Sequence, residues 1–266
     1  MTKAFEGGRL REARAFCQSA WPSCQRHAYT MSEQALRPIR GPRQRLVESP
    51  VATPLAIDVV SDVVCPWCYI GKRKLERALE ELRRREPKLD VAVRWHPFEL
   101  NPDLPPEGIA RREYLEAKFG GAERAAEIYA RVRAVGASVA IPFDFDRILR
   151  QPNTRDAHRL VAWAQKRGDA DSLVERLFRA YFVEGRLLTD PDELAAIAGE
   201  AGLDPAAARA LLASDECRAE VEAEYREAQA AGIGGVPFFI FNGRTAVSGA
   251  HDPPTLLEAM AAARAT

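Results

Sequence analysis

Residues 55–68 read LAIDVVSDVVCPWC, a short run rich in valine that leads directly into two cysteines three positions apart. A β-branched run of this length predicts a strand buried inside a sheet. After the cysteines, apolar residues recur at three- and four-residue steps as far as Pro87, which predicts an amphipathic helix with Pro66 in its first turn. Cys65 and Cys68 are therefore expected where a strand gives way to a helix.

The flanking sequence extends this pattern to a larger unit. A second strand is predicted over residues 89–98, and strand, helix and strand within about 45 residues form a βαβ unit whose strands are normally parallel. Residues 232–250 predict two short strands joined by a tight hairpin at Asn242 and Gly243. A last helix is predicted from Pro253 to Ala263.

Residues 108–232 carry helical periodicity almost throughout. The predicted helix starts are Thr154, Thr189 with Pro191, Asp204 with Pro205, and Ser214. The order of elements predicts the α/β class, with one domain made of residues 54–107 and 233–266 and split by an all-helical insertion over 108–232.

Residues 1–53 have no sustained apolar period and carry eight Arg and one Lys against four Glu, with scattered prolines. This composition predicts a disordered N-terminal extension. An Arg-rich, acid-poor start is also typical of an organelle transit peptide, and Met31 could equally be the true start.

The composition of the 266 residues excludes several classes of protein. Because 38 Lys and Arg balance 38 Asp and Glu, no long-range field recruits nucleic acid or an anionic membrane. The longest apolar runs, such as residues 236–241, are far shorter than the roughly 18 to 20 residues that span a bilayer. Charged residues interrupt residues 1–30, so no secretory signal is expected and the cytoplasm is the predicted location.

The spacing of Cys65 and Cys68 predicts thiol redox chemistry. The positive end of a helix favours thiolate over thiol, and a second cysteine one turn along can attack a mixed disulfide formed on the first. Pro66 and Trp67 between them shape how many backbone N–H groups reach the thiolate. A structural zinc site needs four ligands, and no second CxxC or HxxxH is present, so no metal is expected.

Four motifs in chain order resemble those of a known family. They are SDVVCPWCYIGK at 61–72, HPFELNP at 96–102, NTRDAHRL at 153–160, and GIGGVPFFIFNG at 232–243 followed by SGA. Together they resemble the DsbA-like thioredoxin-fold oxidoreductases of the FrnE type. That group shares a superfamily with 2-hydroxychromene-2-carboxylate isomerases and kappa-class glutathione transferases. The resemblance implies a thioredoxin-like fold with a helical insertion over the active site, and disulfide exchange as the activity.

The resemblance also implies roles for residues. It makes Cys65 the nucleophile, Cys68 the resolving thiol and Pro237 a cis-proline that faces them, with Val236 offering backbone hydrogen bonds to an extended peptide or to glutathione. From base rates alone, a proline that opens a buried strand is trans. Trp67 is expected to be partly exposed and to contact substrate. The isomerase and transferase branch typically has serine at position 65, so the cysteine favours the dithiol branch.

The predicted function is therefore a thiol–disulfide oxidoreductase that acts on disulfide-containing proteins or peptides, with glutathione as a possible co-substrate and no bound cofactor. One alternative is a glutathione-dependent isomerase or transferase of the hydroxychromene carboxylate isomerase type, which would bind the tripeptide in the same groove. Another is a chaperone or metal-binding protein whose dithiol holds clients or soft ions without exchange.

Three other cysteines are given no redox role. Cys217 shares a predicted helical stripe with Val221 and is interpreted as a small buried residue. Cys17, Cys24 and His27 lie in the predicted extension, where a solvated state is favoured over a metal cluster.

Several titratable residues near the motifs are interpreted as structural. His96 and His158 fall in apolar patterns that favour hydrogen-bonded core histidines over catalytic bases. Asp58 and Asp62 precede the cysteine pair, and neither is assigned a role. His251 stands where related sequences often have glutamine.

Overall fold

A computed structural model describes residues 54–168 and 170–265. Its strands are β1 (Leu55–Ser61), β2 (Val91–Pro97), β3 (Ile109–Ala110), β4 (Arg150–Gln151), β5 (Phe238–Phe241) and β6 (Thr245–Ser248). Its α-helices are α1 (Pro66–Arg85), α2 (Arg111–Phe119), α3 (Ala122–Ser138), α4 (Arg155–Gln165), α5 (Asp171–Phe182), α6 (Pro191–Glu200), α7 (Pro205–Leu212), α8 (Arg218–Ala230) and α9 (Pro253–Arg264). The prediction of a disordered extension over residues 1–53, with Cys17, Cys24 and His27, lies outside the described residues.

The centre of the fold is a four-stranded sheet in the order β2-β1-β5-β6. β1 runs parallel to β2 and antiparallel to β5, while β5 and β6 form an antiparallel hairpin. Because β1 is an inner strand with helices packed on the sheet, its Leu55 and Ile57 are completely buried. The predicted βαβ unit, the hairpin and the α/β thioredoxin-like fold are confirmed.

Helix α1 carries the cysteine motif and packs on this sheet through one apolar face. Leu75, Leu79 and Leu82 recur at helical spacing and are buried. At its C-terminal end, Glu86 accepts two hydrogen bonds from Arg264 of α9, at 2.6 and 2.7 Å. These bonds tie the end of α1 to α9, which packs against it. Within the described residues, no helix is long and apolar enough to cross a membrane.

The helices between β2 and β5 share the hydrophobic core of the sheet. The contact is made by aromatic rings, since Tyr69 of α1 stacks on Phe178 of α5 with centroids 5.0 Å apart and meets Phe143 edge-on at 6.0 Å. The segment predicted to be all-helical also contains the antiparallel pair of β3 and β4. Each of these strands has two residues, which is too short for a period of two to register in sequence.

One predicted helix start is wrong. Helix α8 begins at Arg218 rather than at Ser214, because the Ser214 hydroxyl donates to the carbonyl of Leu211 at 2.8 Å and accepts from the N–H of Glu216 at 3.1 Å. A serine bonded in this way stabilises a turn instead of capping a helix. Cys217 then stands at the N-cap in a left-handed conformation, with φ of 62°, and lies ahead of the helical stripe predicted for it.

The other predicted starts agree with the structure to within one residue. Helices α4 and α7 begin directly after Thr154 and Asp204. Helix α6 is capped by Asp190 instead of Thr189, because the Asp190 carboxylate accepts from the N–H of Asp192 at 2.9 Å. An acidic side chain in this position also complements the positive end of the helix.

Candidate active site

The two motif cysteines lie at the junction of β1 and α1, as predicted. Cys65 is the N-cap residue of α1, and Cys68 donates its backbone N–H to the Cys65 carbonyl at 3.0 Å in the first turn. Both are free thiols in the structure, with 4% of Cys65 and 1% of Cys68 exposed. Between them, Pro66 is buried and Trp67 is half-buried, which leaves part of the indole accessible as expected.

The segment before β5 closes over the Cys65 thiol. The Val236–Pro237 peptide bond is cis, as the family resemblance implied and base rates did not. The Cys65 Sγ donates a weak hydrogen bond to the Val236 carbonyl oxygen at 3.6 Å. Residues 171 positions apart thus meet at the thiol, and the sequence alone gave no sign of this contact other than the resemblance.

A glycine that sequence analysis missed permits this contact. Gly71 lies on the face of α1 that packs on Pro237, and a Cβ at position 71 would be 2.9 Å from Pro237 Cγ and 3.1 Å from Phe239 Cζ. Neither the proline ring nor the buried phenylalanine can yield easily. The only trace in sequence is a glycine inside a helical pattern, which often marks a close approach.

We expect Gly71→Ala to destabilise the protein and to displace Pro237. Crowding of a packed site typically costs about 1 to 3 kcal/mol, which exceeds the gain of about 1 kcal/mol in helix propensity. Gly199 in α6 is the matched control, because its added Cβ would meet Pro205 at an ordinary 3.5 Å. Denaturant unfolding of both variants checks this, and a Gly71→Ala protein as stable as Gly199→Ala would contradict it.

The second motif cysteine, Cys68, has a perturbed pKa. Burial raises the pKa of the Cys68 thiol well above its ordinary value, and the hydrogen bond and charge of Cys65 raise it further. Ser61 and the backbone of Asp62 lower the Cys68 pKa but do not offset burial. Cys68 therefore stays protonated at neutral pH.

A buried carboxylate lies beside this junction. Asp62 is completely buried and accepts the backbone N–H of Leu100 at 2.8 Å. One of its oxygens is 3.4 Å from Nε2 of His158, whose same nitrogen lies 3.1 Å from the Phe98 carbonyl oxygen. His158 is thus a hydrogen-bonded core histidine, as predicted.

The second core histidine is held between two acids. His96 Nε2 is 3.0 Å from Asp58, and Nδ1 is 2.9 Å from Glu224 of α8. Burial lowers the pKa of His96, but the hydrogen bonds and charges of both carboxylates outweigh it and raise the pKa to about 9. The ring is therefore an imidazolium at neutral pH, and it ties β2 to β1 and α8.

The remaining described cysteine is also buried. Burial raises the pKa of Cys217, and Lys166, whose Nζ donates to Sγ at 3.4 Å, partly offsets this. The prediction of a small buried residue is confirmed, although it is not part of a helix. Within residues 54–168 and 170–265, no three His, Cys, Asp or Glu side chains converge in a way that could hold a metal ion.

The sheet order, the dithiol at the N-terminus of α1 and the cis-proline against it are those of a thioredoxin-like protein. The sequence model of the DSBA-like thioredoxin domain matches residues 56–261. The chain belongs to the DSBA-like thioredoxin family.

Three known proteins are similar to this chain. The chain is 29% identical over 202 residues to the uncharacterized protein YwbO of Bacillus subtilis, covering 73% of this chain and 90% of that one. It is 33% identical in sequence to a probable DsbA oxidoreductase from Streptomyces coelicolor. The crystal structure of that protein matches with a TM-score of 0.71 over 79% of this chain and 89% of that one. A 2-hydroxychromene-2-carboxylate isomerase shares the fold at 16% identity, with a TM-score of 0.58 over 78% and 95% of the two chains.

Proposed function

We propose that the protein is a thiol–disulfide oxidoreductase that works through Cys65 and Cys68. The observation that carries the proposal is the position of Cys65, at the N-cap of a 20-residue helix and 3.6 Å from the carbonyl before cis-Pro237. Helix N-termini stabilise thiolates, and Cys68 is one turn away. Membership of the DSBA-like family supports the same chemistry.

The reaction proceeds in two exchanges. The Cys65 thiolate attacks one sulfur of a substrate disulfide, forms a mixed disulfide and releases the other sulfur as a thiolate with its electron pair. Cys68 then loses its proton, and its thiolate attacks Sγ of Cys65, which releases the second substrate thiolate. The substrate gains two electrons, and Cys65 and Cys68 become a disulfide. The reverse sequence oxidises a substrate dithiol.

The substrate groove is formed by the segments on either side of the thiol. The backbone of Val236 and the ring of Pro237 would align an extended peptide or glutathione beside Cys65, while Pro66 and the accessible part of Trp67 would contact it from the helix. An antiparallel alignment along a strand edge gives hydrogen bonds that do not depend on sequence. Disulfide-containing proteins or peptides in the cytoplasm, together with glutathione, are the proposed partners.

A redox titration of the purified protein in graded glutathione buffers tests this proposal. Free thiols are trapped with an alkylating mass tag and assigned by peptide mapping. Cys65 and Cys68 should titrate together as a two-electron couple, with a tenfold change in equilibrium constant for each 30 mV or so. Buried Cys217 is the internal control, and its thiol should not be oxidised together with Cys65 and Cys68.

The titration also separates the alternatives. If Cys65 keeps a glutathione adduct and forms no disulfide with Cys68, the oxidoreductase proposal fails. A glutathione-dependent isomerase or transferase is then the favoured function. If Cys65 and Cys68 form no disulfide in any of the buffers, the favoured function is a chaperone or metal-binding protein whose dithiol holds its partner without exchange.

A further inference from the structure

The 249–252 loop, which connects β6 to α9, is bonded to helix α1. The Lys74 ammonium donates to the Ala250 carbonyl oxygen at 2.9 Å and lies 2.7 Å from a carboxylate oxygen of Asp252. Only 12% of the Lys74 side chain is exposed. Lysine is rarely covered to this degree unless its charge is paired, so these two bonds hold the loop at a defined place on the helix.

Asp252 is available to Lys74 because it does not cap its own helix. It is the N-cap residue of α9, but within the described residues its side chain makes no cap hydrogen bond. In two other helices, the N-cap residues Asp190 and Asp204 each accept from the N–H two positions on, at 2.9 Å. The residue two positions after Asp252 is Pro254, which has no N–H. The carboxylate pairs with Lys74 instead, and the hydrogen bond and charge of Lys74 lower the pKa of Asp252.

The loop is held together by its own hydrogen bonds. His251 Nε2 lies 3.0 Å from the Ser248 carbonyl oxygen, and the His251 N–H donates to the Gly249 carbonyl oxygen at 3.0 Å. Gly249 in turn donates its N–H to the Pro237 carbonyl oxygen at 2.8 Å. A displacement of the loop at Lys74 is therefore passed on to Pro237.

Pro237 carries this constraint to the first motif thiol. Val236, directly before it, accepts the weak hydrogen bond from Cys65 Sγ at 3.6 Å. Gly71, three residues before Lys74 on α1, packs against the Pro237 ring. Helix α1 thus holds one segment at two levels, by close packing at Gly71 and by polar bonds at Lys74, and it carries Cys65 at its own N-cap.

We propose that Lys74 is a positioning residue that makes the groove selective for extended peptide disulfides. The inference rests on the proposed function, in which the backbone of Val236 aligns a peptide beside Cys65. Lys74 acts through the 249–252 loop, which fixes where that backbone lies relative to the sulfur. A small disulfide needs only the thiol, whereas a peptide must meet the thiol and the backbone together, so the position of the backbone matters for peptides.

Two substrates with the same coloured leaving group test this proposal. One is 5,5′-dithiobis(2-nitrobenzoate), and the other is an extended peptide of about ten residues whose single cysteine is disulfide-bonded to 2-nitro-5-thiobenzoate. In each, the Cys65 thiolate attacks one sulfur, and the aromatic thiolate leaves with the electron pair of the broken bond. The rate of this first release, measured against substrate concentration, gives a KM and a limiting rate.

Lys74→Met keeps the aliphatic stem of lysine and removes both bonds to the loop. We expect it to raise the KM of the peptide about tenfold, with the limiting rate and both constants of the small disulfide within about twofold of wild type. Asp252→Asn removes the charge pair but keeps the Ala250 bond, so the KM of the peptide should rise about threefold. A general loosening of the fold would instead change both substrates.

Arg264→Met is the matched control. Arg264 also ties the C-terminal region to α1, through Glu86, but at the far end of the helix from Cys65. It should leave the KM of the peptide at its wild-type value. If Arg264→Met raises that KM as much as Lys74→Met does, or if Lys74→Met changes neither substrate or both equally, the proposal is overturned. Should Lys74→Met fail to fold, Asp252→Asn gives the same test, because Asp252 is exposed.

The wild-type protein separates this inference from the proposed function. If it releases the aromatic thiolate from neither substrate, the oxidoreductase proposal fails and the inference fails with it. If it releases the thiolate from both, and Lys74→Met leaves the KM of the peptide unchanged, the inference alone is overturned.

Discussion

Replacing Cys65 with serine is expected to lower disulfide exchange at least about a thousandfold, to the uncatalysed rate. A serine hydroxyl is not ionised at neutral pH and forms no disulfide, so the first exchange has no nucleophile. Cys68→Ser should behave differently, because Cys65 still attacks and the mixed disulfide then has no resolving thiol. That variant should accumulate a covalent adduct with the substrate, measured by intact mass.

Cys217→Ser is the control for this pair of variants. Cys217 is a buried free thiol that accepts a hydrogen bond from Lys166 and lies outside the proposed site. It should retain wild-type exchange. Retained turnover in Cys65→Ser, or a Cys68→Ser protein that traps no adduct, would show that the motif cysteines do not play these roles.

The second large effect is expected on the free energy of unfolding, which should fall by roughly 3 kcal/mol as the pH rises from 6.5 to above 9. The carboxylates of Asp58 and Glu224 overcome burial and raise the pKa of His96 to about 9, above its ordinary 6.5. A group whose pKa is higher in the folded than in the unfolded state contributes its full stabilisation when the pH lies below its pKa in the unfolded state. That contribution is lost as the pH passes through the folded value.

Urea unfolding at several pH values measures this slope. His96→Gln should lower stability at pH 6 and remove most of the decline towards pH 9. His251→Gln, whose ring bonds only the Ser248 carbonyl at 3.0 Å among described contacts, should keep the wild-type slope. The raised pKa of Cys68 adds a loss of stability above its ordinary 9.0, so the decisive points lie below that pH. Equal slopes in wild type and His96→Gln would refute the assignment.

The part of the site that is local in sequence could be predicted. The valine-rich run, the helical period after it and Pro66 at the first helical position place Cys65 and Cys68 at a helix N-terminus without further information. The cis form of Pro237 was different, because residue statistics favour trans and only the resemblance of four motifs implied otherwise.

The rest of the site depends on tertiary proximity. Nothing adjacent to Gly71 in sequence shows that Pro237 packs on it, since the two meet only when β5 pairs with β1. Likewise, His96 meets Asp58 and Glu224 only when β1 and β2 align and α8 packs beside them.

The antiparallel pairing of β1 with β5 has a consequence for biosynthesis. Cys65 is made 171 residues before the Val236 carbonyl that faces its sulfur. At about 5 to 20 residues per second, translation leaves an interval of roughly 10 to 30 s in which both motif thiols exist without that cover. Such non-local strand pairing also slows folding. During this window the nascent thiols lack the cover of the Val236 segment, and they acquire it only when the last strands dock.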